Sequence, residues 1–275
     1  MIIDAHAHIL PPELISRRES LLKSDPAFNL LYADPQAQMA GAGDLVAAMK
    51  SDGVDKALVC GFPWRDPGHA RLHNDYILQA AKEHPKRLIA LGCMDPLSRE
   101  ALDEAERVLS NGALGLGELA RYHNDPGDEM VPLADLCAEA DKPMMLHTNE
   151  PVGHVYPGKS PMTLRGLYDL IRACPKTRFQ LAHLGGGIFF YELLKQEAAG
   201  VLKNCVFDIA AAPFLYQPDV YNVFIQTAGA DRLLYGSDFP LLRLKRYKKD
   251  MDKAGLDDKV KEKILGLNAK SFWNI

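Results

Sequence analysis

Near its start the sequence reads Asp4-Ala5-His6-Ala7-His8. In an extended strand residues i and i+2 share a face, so both imidazoles project together. Two neutral ring nitrogens side by side are divalent-metal ligands by type. Nine histidines in 275 residues make one such pair a common accident, so its companions decide its meaning. Four later apolar runs close on single titratable residues: Gly117-Glu118-Leu119, Met145-Leu146-His147, Leu181-Ala182-His183 and Gly236-Ser237-Asp238-Phe239-Pro240. Each alone reads equally well as a satisfied buried polar group or a helix N-cap. Together they read as one rim where imidazoles and carboxylates converge, a donor set for binding a divalent cation and moving protons.

Such a rim needs strands whose ends lie side by side. The short apolar runs at Met1–His8, Lys56–Cys60, Leu88–Met94, Leu114–Leu119, Pro143–His147, Arg178–His183, Val206–Ile209 and Leu233–Gly236 are strand candidates. Helix-period segments alternate with them at Asp44–Ser51, Arg71–Glu83, Arg99–Leu109, Val131–Ala140, Leu164–Ala173, Ile188–Ala198, Val220–Ala228 and Leu244–Lys253. Eight βα units predict a single α/β domain, a (β/α)8 TIM barrel over residues 1–275, with its chemistry at the C-terminal ends of the strands. The stretch Pro11–Gly43 is too long for an ordinary βα loop and carries Phe28, Leu30, Leu31 and Tyr32. It is expected to be a lid or specificity insert, with an oligomer contact as the alternative.

Composition narrows the partners. With 47% hydrophobic and 25% charged residues the chain is expected to fold as an ordinary globular protein rather than remain disordered. A net charge of -4 gives no reason to favour nucleic acid or anionic membranes. Met1 leads directly into Ile2-Ile3-Asp4 without a basic and apolar leader, and no membrane-length apolar stretch follows, so the expected location is cytoplasmic. The five scattered cysteines read as reduced, buried small hydrophobes. The expected partner is a small-molecule substrate, with a homo-oligomer as a further expectation.

The ordered motifs resemble the amidohydrolase superfamily, and within it the amidohydrolase-2 branch that includes aminocarboxymuconate-semialdehyde decarboxylase. The likeness runs through Asp4-Ala5-His6-Ala7-His8, Gly115-Leu116-Gly117-Glu118, His147, His183-Leu184-Gly185-Gly186-Gly187, Gly236-Ser237-Asp238-Phe239-Pro240 and Ile264-Leu265-Gly266-Leu267-Asn268-Ala269. The resemblance implies that His6, His8, His147 and Asp238 bind one divalent metal, with His183 beside it as an acid-base or oxyanion-stabilising group. Glu118 is implied either as a further ligand, bridging two metals, or as a partner that orients a ligand imidazole. In the two-metal division His6, His8, Glu118 and Asp238 stand against Glu118, His147 and His183.

Three imidazoles and a carboxylate suit Zn2+, although Mn2+, Fe2+, Co2+ and Ni2+ accept the same donors. The branch holds both hydrolases and non-oxidative decarboxylases. The expected reaction is hydrolysis of a small amide, lactone or ester by metal-activated water, with Asp238 as proton carrier. Decarboxylation of an aromatic or unsaturated acid is the alternative, and a non-catalytic metal or ligand-binding barrel the third.

Loop residues at the same end are candidates for holding substrate. Trp64 suits an apolar wall, and Arg65 and Arg121 suit a substrate carboxylate. His154, Tyr156 and Lys159 lie in a Pro- and Gly-rich loop directly after His147. The basic run Arg243 to Lys249 reads as a solvated helix face, and His69, His73, His84 and His123 as surface or capping residues. Gly185-Gly186-Gly187 lacks the Lys-Ser/Thr of a phosphate loop and reads as a tight backbone passage beside His183.

Overall fold

The computed structural model describes residues 1–120 and 128–275. Eight strands pair in parallel and in chain order: β1 (Ile3–His8), β2 (Lys56–Cys60), β3 (Leu88–Gly92), β4 (Gly115–Leu119), β5 (Met144–Leu146), β6 (Phe179–Leu181), β7 (Cys205–Asp208) and β8 (Leu233–Leu234). Backbone bonds from Ala5 N to Tyr235 O (2.8 Å), Asp238 N to His6 O (2.9 Å) and His8 N to Phe239 O (2.9 Å) carry the ring on from β8 to β1. The expected TIM barrel is what forms. Its helices are α1 (Pro12–Ser16), α2 (Arg18–Ser24), α3 (Pro26–Tyr32), α4 (Ala42–Asp52), α5 (Pro67–Glu83), α6 (Ala101–Ser110), α7 (Val131–Glu139), α8 (Leu164–Ala173), α9 (Phe190–Leu194), α10 (Gln196–Val201), α11 (Ala212–Leu215), α12 (Val220–Ala228), α13 (Leu244–Lys253), α14 (Asp258–Glu262) and α15 (Asn268–Trp273).

The strands are buried on both faces. Ile3, Ala5, Leu58, Cys60, Leu91, Met145, Val206 and Leu234 fill the barrel interior with Ala269 and Trp273 of α15. Ala7, Val59, Leu116, Leu146, Leu181 and Phe207 pack in the layer beneath the helices. Ile3 and Ala5 face inward while Ala7 faces outward, so β1 changes phase partway along. The cause is a bulge: between Asp4 and Ala7 two residues of β1 stand opposite one of β2. The extra residue turns His6 and His8 toward the lumen. A matching irregularity between Leu116 and Leu119 of β4 does the same for Glu118.

Two expectations of secondary structure needed revision. The first insert residues are helical rather than loop: Asp25 caps α3 by accepting from Phe28 N at 2.9 Å, with Pro26 in the first turn. Asp25 also accepts from Arg65 N at 3.2 Å, and Phe28 stacks on Trp64 at 5.0 Å, so the insert is fastened to the loop after β2. The single helix expected over Ile188–Ala198 is instead split into α9 and α10, preceded by a left-handed turn through Leu184, Gly185 and Gly186. A Cβ on Gly186 would collide with the carbonyl of Asn149, which is the tight passage that the glycines anticipate. The basic run behaves as expected: Arg243 pairs with Asp52 at 2.7 Å, and Leu244, Tyr247 and Met251 form the buried face of α13. All five cysteines are reduced and buried. No helix among the described residues is long and apolar enough to cross a membrane.

His73 is a correction. It is neither a surface nor a capping residue but lies buried in α5, where its Nε2 donates to Ile9 O at 2.6 Å and its Nδ1 accepts from the Trp64 indole at 2.9 Å. Burial holds its pKa down at about 4, from 6.5. Between those values the unfolded chain binds a proton that the folded chain refuses, so stability falls as the pH drops, by about 3 kcal/mol over the interval. Denaturant unfolding of the wild type and of His73→Gln near neutrality and near pH 4.5 should show the flatter dependence in the variant. Equal slopes would remove this assignment. His69 is half-buried between Asp66 and the Trp64 ring, and His84 caps α5. His123 lies outside the described residues.

Candidate functional site

At the C-terminal rim the donor atoms meet. His6 Nε2 and His8 Nε2 are 3.0 Å apart. Glu118 Oε2 lies 3.6 Å from each of them, and Asp238 Oδ1 lies 3.8 Å from His6 Nε2 and 3.4 Å from His8 Nε2. The other oxygen of Glu118 faces the far side of the ring, 3.0 Å from His147 Nδ1 and 3.4 Å from His183 Nε2. The six residues singled out along the sequence therefore converge, in two sets that share Glu118. His183 and Asp238 hold left-handed backbone, φ 54° and 56°, a conformation that L side chains adopt where the surroundings enforce it.

Each imidazole is held from behind. His6 Nδ1 faces Asp208 Oδ2 at 3.1 Å, His8 Nδ1 faces Gly61 O at 3.2 Å, His147 Nε2 faces Gly158 O at 3.1 Å and His183 Nδ1 faces Ala210 O at 2.9 Å. These partners only accept, so the outward nitrogens carry the N–H and the inward nitrogens present lone pairs. Lone pairs of two neutral imidazoles facing each other at 3.0 Å, ringed by carboxylates, repel unless a cation or a shared proton lies among them. The donor set thus fits a divalent metal.

The electrostatics agree. Burial would raise the carboxyl of Glu118, yet the imidazoles of His147 and His6 hold it well below the usual range. Burial likewise opposes, and the hydrogen bond that His8 donates when its inward nitrogen is also protonated outweighs it, so that Asp238 is held down at about 2. His183 is pushed up to about 9, its burial overcome by Glu118. Positive charge is favoured throughout this cluster.

The loop residues divide. Trp64 is buried in the packing beneath the insert rather than open to the site. Arg65 is exposed and joins the insert through its backbone. Arg121 lies outside the described residues. His154 is exposed, with its ring 5.6 Å from Tyr156. The Tyr156 hydroxyl donates to Glu150 Oε2 at 3.1 Å. Lys159 binds Glu150 Oε1 at 3.4 Å and the carbonyls of Val152 (3.0 Å) and His154 (3.3 Å), so it ties its own loop together.

Sequence reasoning passed over three contributors. Asp208 closes β7 just as the chosen residues close their strands, and the same criterion would have found it. Asp4 Oδ1 accepts from His6 N at 3.2 Å and Ser237 N at 2.9 Å, stitching β1 to the segment after β8. Tyr32, known only as an apolar insert residue, stands close enough that burial and the carboxylates of Asp238 and Glu118 all push its phenol upward.

A family model described as amidohydrolase matches residues 3–275. Among curated proteins none matches the chain. Among solved structures, 5-carboxyvanillate decarboxylase from Novosphingobium aromaticivorans is similar with a TM-score of 0.79 and 18% identity, covering 100% of this chain and 96% of that one. A 2,6-dihydroxybenzoate decarboxylase from Rhizobium gives 0.71 and 16%, covering 99% and 98%. A structure described as a probable 2-pyrone-4,6-dicarboxylic acid hydrolase from Acinetobacter baumannii gives 0.65 and 12%, covering 100% and 99%. At such identities the likeness speaks for the barrel alone.

Proposed function

The chain belongs to the amidohydrolase family, matched over residues 3–275, and from that membership and the site we propose that it is a divalent-metal-dependent decarboxylase of a small aromatic or unsaturated carboxylic acid. This reverses the order of the two enzymatic expectations. The observation that carries it is Tyr32, whose phenol is close enough for the carboxylates of Asp238 and Glu118 to push it upward, and whose ring, backed by buried Phe28 at 4.6 Å and Phe62 at 6.3 Å, offers one aromatic wall near the donors. A flat, conjugated acid suits such a wall. The similarity to the two decarboxylases supports the same reading, and the Novosphingobium enzyme was solved with manganese and a nitrobenzoic acid.

His6, His8 and Asp238, with Glu118, would hold the cation, and His147 and His183 complete the ring. Mn2+ joins Zn2+ as the candidate. A divalent cation bound there supplies positive charge that orients the substrate's oxygens and stabilises the charge developing on them. A proton reaches the ring carbon that bears the carboxylate from His183, which with a pKa of about 9 takes one on its inward Nε2 near neutrality, or by way of Asp238, which at about 2 must first receive it from a neighbouring group. The carbon–carbon bond then breaks, its electron pair returns to the conjugated system, and CO2 leaves. The inward Nε2 of His183 and Oδ1 of Asp238 are the atoms placed for that transfer.

One observation favours hydrolysis as the second reading. Glu118 presents one oxygen to His6 and His8 and the other to His147 and His183, a division suited to two cations and to water activation. Metal content per chain, with CO2 release from a panel of aromatic acids set against ring opening of lactones, tests the two directly. CO2 release supports decarboxylation, and turnover confined to lactones would overturn it.

The insert would act as a lid. Besides Tyr32, Leu31 packs so closely on Gly158 that a Cβ there would lie 2.6 Å from its side chain, and the carbonyl of Gly158 holds His147. Tyr32→Ala should raise KM about tenfold while metal content stays unchanged. An altered oligomer with unchanged KM would make the insert an interface instead.

A further inference from the structure

A line of hydrogen bonds runs along the inside of the barrel from its closed end to the metal-facing rim. It begins at α15, which covers the N-terminal ends of the strands: a Cβ on Gly115, the first residue of β4, would lie 2.8 Å from the Trp273 ring, and Arg178, just before β6, donates to Phe272 O at 2.5 Å. Trp273 is 1% exposed and packs within the interior cluster. Its indole Nε1 donates to Gln180 Oε1 at 2.8 Å. The Gln180 amide nitrogen donates to Asp208 Oδ2 at 2.7 Å and to Ala5 O at 3.1 Å. Asp208 Oδ2 in turn receives His6 Nδ1 at 3.1 Å, while its other oxygen accepts from His183 N at 3.1 Å and Ala210 N at 3.0 Å.

The direction of this line is forced. An indole N–H can only donate, so the oxygen of Gln180 must face Trp273 and its NH2 must face Asp208. Asp208 then meets donors on both oxygens and acts as a pure acceptor. His6 must therefore carry its proton on Nδ1 and present the lone pair of Nε2 to the rim. Were the amide of Gln180 free to rotate, its oxygen could face the carboxylate and His6 would lose its anchor.

Resting on the reading that His6 holds a cation, we infer that Trp273 and Gln180 are positioning residues of the metal centre, fixing His6 through Asp208 from the opposite end of the barrel. Neither side chain reaches the rim. Their contribution is to the orientation of a ligand, so its loss should be read in metal affinity.

The test uses Mn2+ titrated into the full-length chain. Trp273→Phe, which keeps the ring and removes the N–H, should weaken Mn2+ binding about five- to tenfold, and Asp208→Asn about 10- to 100-fold. In the Asp208→Asn background the effect of Trp273→Phe should disappear, because the route is broken. Urea unfolding of the same four proteins without metal should show the same coupling, a readout independent of any bound ion. Should Trp273→Phe fail to fold, Gln180→Met keeps the volume and interrupts the same line. Wild-type Mn2+ affinity in Trp273→Phe, or a loss that persists undiminished beside Asp208→Asn, would overturn the inference and leave Trp273 a packing residue. If the wild type itself takes up no metal, the metal reading falls separately, and additive unfolding effects would overturn the coupling as well.

Discussion

Asp238→Asn should lower kcat about 10²- to 10⁴-fold, the range expected when a group that moves a proton is lost, and excess Mn2+ should not restore it. The substitution is well chosen for the site. Asp238 sits at φ 56°, where asparagine is among the best tolerated side chains, so the backbone should hold. The amide keeps a carbonyl oxygen in place of Oδ1, which lies 3.4 Å from His8 Nε2, but it neither holds nor delivers a proton. Loss of turnover with metal retained therefore isolates the proton-transfer role. Complete recovery on adding metal would reduce Asp238 to a ligand, and full turnover without metal would remove the proposed centre.

The second large effect is all-or-none and decides the reaction. Decarboxylation replaces a carbon–carbon bond with a carbon–hydrogen bond, so turnover in heavy water should place one deuterium on the product ring and release one CO2, with no solvent oxygen in the ring product. Hydrolysis requires the opposite, one oxygen-18 from labelled water in the product and no new carbon–hydrogen bond. With an aromatic acid as substrate, deuterium at carbon is the expected outcome, and it should be lost along with turnover in Asp238→Asn. Oxygen-18 in a product carboxyl would restore hydrolysis as the primary reading.

Much of the rim was legible because its signals are local. A strand that ends on His147 or Asp238 announces itself in a few residues, and eight such units imply a barrel whose strand ends adjoin. Supporting residues gave no such signal. Gln180 sits in mid-strand and Trp273 in a short helix at the far end of the chain, and only the closed barrel brings them within 2.8 Å. The insert misled for another reason: Asp25-Pro26 is a sound helix start, but α1, α2 and α3 span 5, 7 and 7 residues, too short to show a clear period. The helix expected from Ile188 broke at Lys195, whose extended backbone (φ -136°, ψ 118°) separates α9 from α10, a single-residue departure that periodicity does not register. The choice between hydrolysis and decarboxylation was hidden because both chemistries use the same donors. What shifted it was Tyr32, whose part depends on a fold-back of some thirty residues.

The bulges in β1 and β4 bear on how this barrel can change over time. In a straight strand the parity of a residue assigns it to lumen or wall once and for all, so every rim residue inherits its side from the apolar pattern below it. One extra residue in each strand breaks that inheritance, since Ile3 and Ala5 can be inward odd positions while His6 and His8 are inward even ones. Floor and rim thereby become separately editable. New chemistry can be written at the strand ends without rewriting the apolar floor, and a single-residue deletion in β1 that removed the bulge would strip that freedom while leaving every donor side chain in the sequence.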